Sequence, residues 1–482
     1  MDKDLRSIQE VRDLIAQARQ AQRALAEMSQ EDLDRITAAL SAAGVEHAAR
    51  LADMAVEETG FGVREDKRLK NRFAALTLYE AIKDQRTHGV LAEDRAHRTI
   101  DIGVPVGIVA GLVPSTNPTS TVIYKAMICM KAGNPIIFSP HPSARNCILE
   151  TVNVLRRAAE TAGAPQGSIT CISTPTMEAT SELMKHDHTR LILATGGSAM
   201  VRAAYSSGTP AIGVGAGNGP AYLHPSADPD RAVKRIVDSK TFDNGTICAS
   251  EQSIVITRTQ EGAVRSALER QGAYLLSAEE GERLGRFILR ANGTMNPAIV
   301  GKSVAQVAQL AGLTHVPAGA RVLVARETGV GKGHPYSNEK LGPILALYVE
   351  EDEGAALRRC VEILEWEGAG HTFSIHCEDE GVVRRFAQAV PASRVLVNTP
   401  ASLGGIGATT CLFPALTLGC GAVGGSSSSN NIGPLDLINI KRVAWGVREL
   451  EELRGTAPDP GQVSVDGDLL DQLVRQIMRR LT

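Results

Sequence analysis

Val106-Gly107-Ile108-Val109-Ala110 is a short apolar run closed by turn residues, the pattern of a strand buried on both faces. Pro135-Ile136-Ile137-Phe138 and Leu191-Ile192-Leu193-Ala194 have the same texture. Helical stretches, Cys147 to Ala162 and Thr176 to Met184, lie between them. Strand–helix alternation of this kind predicts an α/β fold with parallel sheets and flanking helices. A second alternating region follows residue 230, with strands expected at Ser253–Ile256, Ala320–Val324 and Ile344–Tyr348. Two α/β lobes joined near residue 230 are therefore expected.

Outside this region the texture changes. From Leu5 to about Gln85 the chain is helical in pattern, with Leu5, Ile8, Val11 and Ile15 at three- and four-residue steps. At the other end, residues 455–461 form a Pro/Gly linker. Beyond it Leu469, Leu473, Ile477 and Leu481 recur every four residues, which predicts a short amphipathic helix.

Composition narrows the function classes. A chain of 482 residues with 43% hydrophobic and 22% charged residues is an ordinary globular protein. Its net charge of −3 gives no basic stripe for a nucleic acid. The eight cysteines form no C-x-x-C pair, so no zinc ribbon or dithiol motif is expected, and no metal site is assigned. The first twenty residues lack a signal-peptide pattern and no run is long enough to cross a membrane, so a soluble, cytoplasmic protein is expected.

The segment Phe242-Asp243-Asn244-Gly245-Thr246-Ile247-Cys248-Ala249-Ser250-Glu251-Gln252 places a cysteine in a polar turn just before an apolar strand. A lone cysteine is more often a small buried hydrophobe, but a thiolate here could attack a carbonyl. Six further segments accompany it: Val113–Thr119, Phe138–Pro142, Thr195–Ser198, Gly213–Asn218, Glu339–Pro343 and Gly368–Thr372. In this order, and over roughly residues 5–450, they resemble the aldehyde dehydrogenase superfamily. In detail the chain is similar to its coenzyme A-acylating branch.

That resemblance implies a two-lobed fold with a small oligomerisation arm. A cofactor-binding lobe is expected over 1–230, with an arm near 99–104, and a lobe carrying the nucleophile over 231–422. Residues 423–455 would return to the first lobe, and 456–482 would form the linker and amphipathic helix. The resemblance also implies that Cys248 is the nucleophile and that Asn117 and the Cys248 N–H stabilise the oxyanion. His371 would assist thiol exchange. For the dinucleotide it implies Ser139, Pro140 and His141 after one strand, Thr195, Gly196, Gly197 and Ser198 at a helix start, and Gly215 and Glu339. The cofactor would be NAD, with NADP the alternative because Ser139 stands where relatives often carry lysine.

Val214 aligns with the glutamate that hydrolysing relatives use as a base. Water, with a pKa of about 15.7, needs such a base, whereas a thiol titrating near about 8.5 needs far less help. An acylating reaction on a short-chain aldehyde with coenzyme A is thus expected. A hydrolysing enzyme or a non-catalytic assembly protein of the same fold is the alternative. The tail resembles encapsulation peptides, which implies a bacterial microcompartment shell protein as partner through 466–482, beside assembly into a homodimer or homotetramer.

Overall fold

The structure is a computed structural model that describes residues 2–455, 472 and 474–478. Two units are distinguished by their internal contacts: residues 1–89 with 103–440, and residues 90–102 with 441–482.

The first unit contains two parallel sheets. One has five strands, in the order Ile169–Cys171, Ile136–Pro140, Ile108–Val113, Thr189–Ala194, Ala211–Gly213. The other has seven, in the order Ala273–Leu275, Val322–Arg326, Ile344–Glu350, Ser253–Thr257, Pro220–Leu223, Gly370–His376, Ala392–Val397. The central strands are buried throughout because helices cover both faces, which is why they read as unbroken apolar runs. The α/β class with parallel sheets and flanking helices is as expected.

Three local expectations are displaced. The strand expected at 106–110 runs Ile108–Val113, because Gly107 takes a φ of 121° and breaks the extended run. The strand expected at 320–324 likewise starts at Val322. Pro220–Leu223 already pairs in the seven-stranded sheet, so the chain crosses between the sheets before residue 220 rather than near 230. On its way back it touches the five-stranded sheet again. There Ser426 Oγ donates to Gly213 O at 2.8 Å and Ser427 Oγ to Ala211 O at 2.7 Å.

Helices Lys3–Ala26, Gln30–Glu46, Ala48–Thr59 and Arg64–Arg72 form the N-terminal part. Val11 and Ile15 are buried as the stripe required, but Leu5 is exposed. Ser29 opens the second helix with a capping box, accepting from Asp32 N while the Asp32 carboxylate accepts from Ser29 N. Helix Arg64–Arg72 continues into one widened turn, Phe73–Thr77, of π geometry.

The second unit carries a three-stranded sheet in the order Gly89–Asp94, Thr99–Pro105, Ile438–Ala444. Residues 99–104 lie in its middle strand, where Arg442 makes two contacts to Asp101, at 2.6 and 2.8 Å. Of the expected linker 455–461, Gly455 ends the helix Leu450–Gly455 and the rest lies outside the described residues. Of the expected C-terminal helix, 472 and 474–478 are described and are helical. Among the described residues no helix is long and apolar enough to cross a membrane.

Candidate active site

In a parallel sheet every strand ends on the same edge. Val113, Pro140 and Ala194 end strands of the five-stranded sheet. Asn218, Cys248, Glu339 and His371 stand before or at the start of strands of the seven-stranded sheet. The candidate residues thus gather at the C-terminal edge of one sheet, where α/β folds place ligands, and at the N-terminal edge of the other.

At the centre, His371 Nε2 lies 3.2 Å from Cys248 Sγ, and His371 Nδ1 lies 2.8 Å from Thr372 Oγ1. Cys248 is partly exposed while His371 is buried. Burial, with the Glu339 and Cys420 charges adding, pushes the thiol up to about 12. Burial and the nearby Arg394 cation push His371 down to about 3. The resting pair is therefore a neutral thiol facing a neutral imidazole. In the tautomer that carries its hydrogen on Nδ1, Nε2 offers its lone pair to the thiol proton, the geometry of a nucleophile–base pair.

Gly217 forms the wall of this centre. Its N–H donates to Glu339 Oε1 at 2.9 Å. Burial, then the Glu367 charge, pushes the Glu339 carboxyl up to about 8, so at neutral pH it is mostly protonated. Gly215 stands beside Cys420: a Cβ there would be 3.8 Å from the Cys420 sulfur.

Asn117 reaches the nucleophile loop from the other lobe. Its Nδ2 donates to Thr246 O at 3.1 Å and to Thr116 Oγ1 at 3.3 Å, and its Oδ1 accepts from Lys70 Nζ. Lys70 also donates to Asp243 Oδ2, and Lys67 Nζ reaches Asp243 at 3.0 Å and Thr116 O at 2.9 Å. Burial raises the Asp243 carboxyl, but Lys70 and Lys67 outweigh it and hold the group below its ordinary value. This fully buried ion cluster anchors a strained turn. Asp243 and Asn244 have φ of 49° and 52°, in the left-handed region that side chains avoid.

The expected dinucleotide residues line a separate cavity of about 380 Å³ that includes Ser139, Pro140, His141, Thr195, Gly196 and Gly197. Ser139 Oγ is paired with Thr180 Oγ1 at 2.9 Å. Thr195 Oγ1 is buried with no partner among the described residues, and Ser198 opens the helix Ser198–Tyr205. A buried unpaired hydroxyl beside a helix N-terminus suits a phosphate-bearing ligand. Gly215 and Glu339 are not in this cavity's lining; Glu339 lies near Cys248, and Gly215 lies beside Cys420.

Sequence reading missed Lys67, Lys70, Asp243 and Arg394. Arg394 is buried, donates to Gly419 O at 2.5 Å and to Ser429 O at 3.2 Å, and supplies the cation nearest the Cys248–His371 pair. The signal available was charge within an apolar context, such as Arg394 in Ala392–Val397. Among the described residues no group of His, Cys, Asp and Glu could hold a metal ion.

Comparisons with known proteins give the chain's family. The bifunctional aldehyde-alcohol dehydrogenase of Escherichia coli K12 is 45% identical over 443 residues, covering 91% of this chain and 50% of that protein. The chain thus spans about half the length of that relative. A probable aldehyde dehydrogenase from Listeria monocytogenes EGD-e superposes with a TM-score of 0.93 at 61% identity, covering 94% of this chain and 100% of that one. An acetylating aldehyde dehydrogenase from Geobacillus thermoglucosidasius gives 0.91 at 51% identity, covering 93% and 99%. The aldehyde dehydrogenase family model matches residues 5–408, and the chain belongs to that family.

Proposed function

We propose that the protein is a coenzyme A-acylating aldehyde dehydrogenase, oxidising a short-chain aldehyde through a thioester on Cys248. The observation that carries this reading is the 3.2 Å contact between Cys248 Sγ and His371 Nε2. His371 takes the thiol proton as the sulfur bonds to the aldehyde carbon. The oxygen then becomes an oxyanion, for which Asn117 Nδ2 and the Cys248 N–H are the donors. Nicotinamide, when bound, supplies the hydride acceptor, with NAD or NADP held by the cavity of Ser139, His141 and Thr195–Gly197. Loss of hydride from the tetrahedral adduct leaves the acyl group on Cys248.

Release goes to a thiol. Val214, at the position aligned with the base of hydrolysing relatives, carries no carboxylate to activate water. Once His371 has released its first proton to solvent, it receives the proton of the incoming coenzyme A thiol and returns it to Cys248 as the tetrahedral adduct collapses with Cys248 as leaving group. The acetylating relative at 51% identity supports the same acceptor. Dinucleotide reduction should stall after one equivalent when coenzyme A is omitted. Steady turnover to a free acid without it would remove the acylating reading.

The arm sheet, with exposed Val443, Trp445 and Val447, supports assembly into a dimer or tetramer. Light scattering reading a monomer would remove this. The amphipathic spacing of 466–482 supports docking to a microcompartment shell, and unchanged shell association after deletion of 456–482 would end that reading.

A further inference from the structure

We infer that Lys70 is a positioning residue for aldehyde oxidation: its ammonium fixes which way the Asn117 amide points. The inference rests on the roles of Cys248 and Asn117 proposed above.

Lys70 Nζ has three acceptors, Asn117 Oδ1, Asp243 Oδ2 and Thr246 Oγ1, the last at 3.4 Å. An ammonium has three donors and no acceptor, so this set consumes all of them. The amide atom facing it must be oxygen, because a flipped Asn117 would set NH₂ against NH₃⁺ and leave an N–H of each without an acceptor inside the protein. The N–H edge is thereby held toward the nucleophile loop, with one N–H on Thr246 O and the other on the longer Thr116 contact. That second N–H is the one a substrate oxygen can claim. Asp243 is the counter-charge that keeps the cation in place, while Lys67, its second partner at 3.0 Å, holds Asp243 in the loop that presents Cys248.

The lock depends on protonation. Burial lowers Lys70 to about 8 against the opposing pull of Asp243, with Lys67 and Asp66 on its own helix also facing it. Above that pH a neutral amine has a lone pair and two N–H groups. It can then accept from Asn117, and the amide is free to flip. Ionisation of Cys248 works in the opposite direction, raising the rate as pH rises.

The test is a double-mutant cycle of Lys70→Met and Asn117→Ala, read by single-turnover dinucleotide reduction and by iodoacetamide alkylation of Cys248, which forms no oxyanion. Removing one oxyanion donor costs about 10²–10³ in rate, and losing only its orientation should cost about 10-fold or more in kcat. Alkylation should keep the wild-type rate, and Lys70→Met should cost nothing further in the Asn117→Ala background. Wild-type turnover by Lys70→Met, full additivity, or parallel loss of alkylation would each overturn the inference. Cys248→Ala run alongside separates the two readings: its activity would sink the thioester, whereas an active Lys70→Met beside an inactive Cys248→Ala removes only Lys70. If Lys70→Met does not accumulate as folded protein, the wild-type pH profile decides. A bend near about pH 8, where the rise of single-turnover rate with pH gives way to a plateau or fall, supports the lock if it persists in Glu339→Gln; an unbroken rise, or a bend abolished by Glu339→Gln, contradicts it.

Discussion

Gly217 packs directly on Cys248: a Cβ at 217 would lie 1.8 Å from the Cys248 carbonyl oxygen. No flexible side chain can absorb that clash, because the neighbour is backbone. Gly217→Ala should therefore displace the nucleophile loop. The expected outcome is loss of dinucleotide reduction together with slowed alkylation of Cys248, measured on protein that still binds the dinucleotide, since the cavity of Ser139 and Thr195 is built by other strands.

His371→Ala removes the only imidazole in contact with Cys248 Sγ among the described residues. General-base assistance is worth about 10²–10⁴-fold. Thioester formation should slow by that order, with the aldehyde KM changing less than kcat. Because His371 is held near about 3, the wild-type rate should show no acid limb at the ordinary histidine range. A limb near pH 6.5 that vanishes in His371→Ala would show that the imidazole is not buried and neutral as described.

Asp243→Asn breaks a buried ion cluster and leaves Lys67 and Lys70 without their shared carboxylate. Removing one partner of a buried pair costs about 3–5 kcal/mol. Thermal unfolding should drop accordingly. The pH dependence follows from the sign: Asp243 is held below its ordinary value when folded, so its contribution is present above the unfolded carboxyl pKa and fades as pH falls through the folded one. The variant should lose less stability than wild type on acidification.

Much of the fold was legible because its signals are local. Buried parallel strands read as apolar runs, and Ile136–Pro140 and Ile344–Glu350 appeared close to where they were expected. The strand after Val106 slipped by two residues because Gly107 adopts a backbone conformation that composition does not reveal. The first strand of the seven-stranded sheet, Pro220–Leu223, was missed because four residues between glycine and turn residues carry no periodicity.

The site divides in the same way. The Cys248 and His371 segments are legible as short motifs, and the structure brings them into contact although 123 residues separate them. Lys67 and Lys70 sit on a helix whose sequence, Arg64–Arg72, is almost wholly charged and reads as a solvated surface. Only the fold, by bringing Asp243 across 173 residues, turns that face inward and makes the lysines part of the site.

The claim on which the rest depends is a covalent bond between Cys248 and the acyl carbon. The most direct measurement is mass spectrometry of protein incubated with aldehyde and dinucleotide in the absence of coenzyme A. A gain of one acyl group on the peptide containing Cys248, absent from Cys248→Ala and discharged by coenzyme A, is the expected result. Dinucleotide reduction without any acyl adduct on that peptide would contradict it.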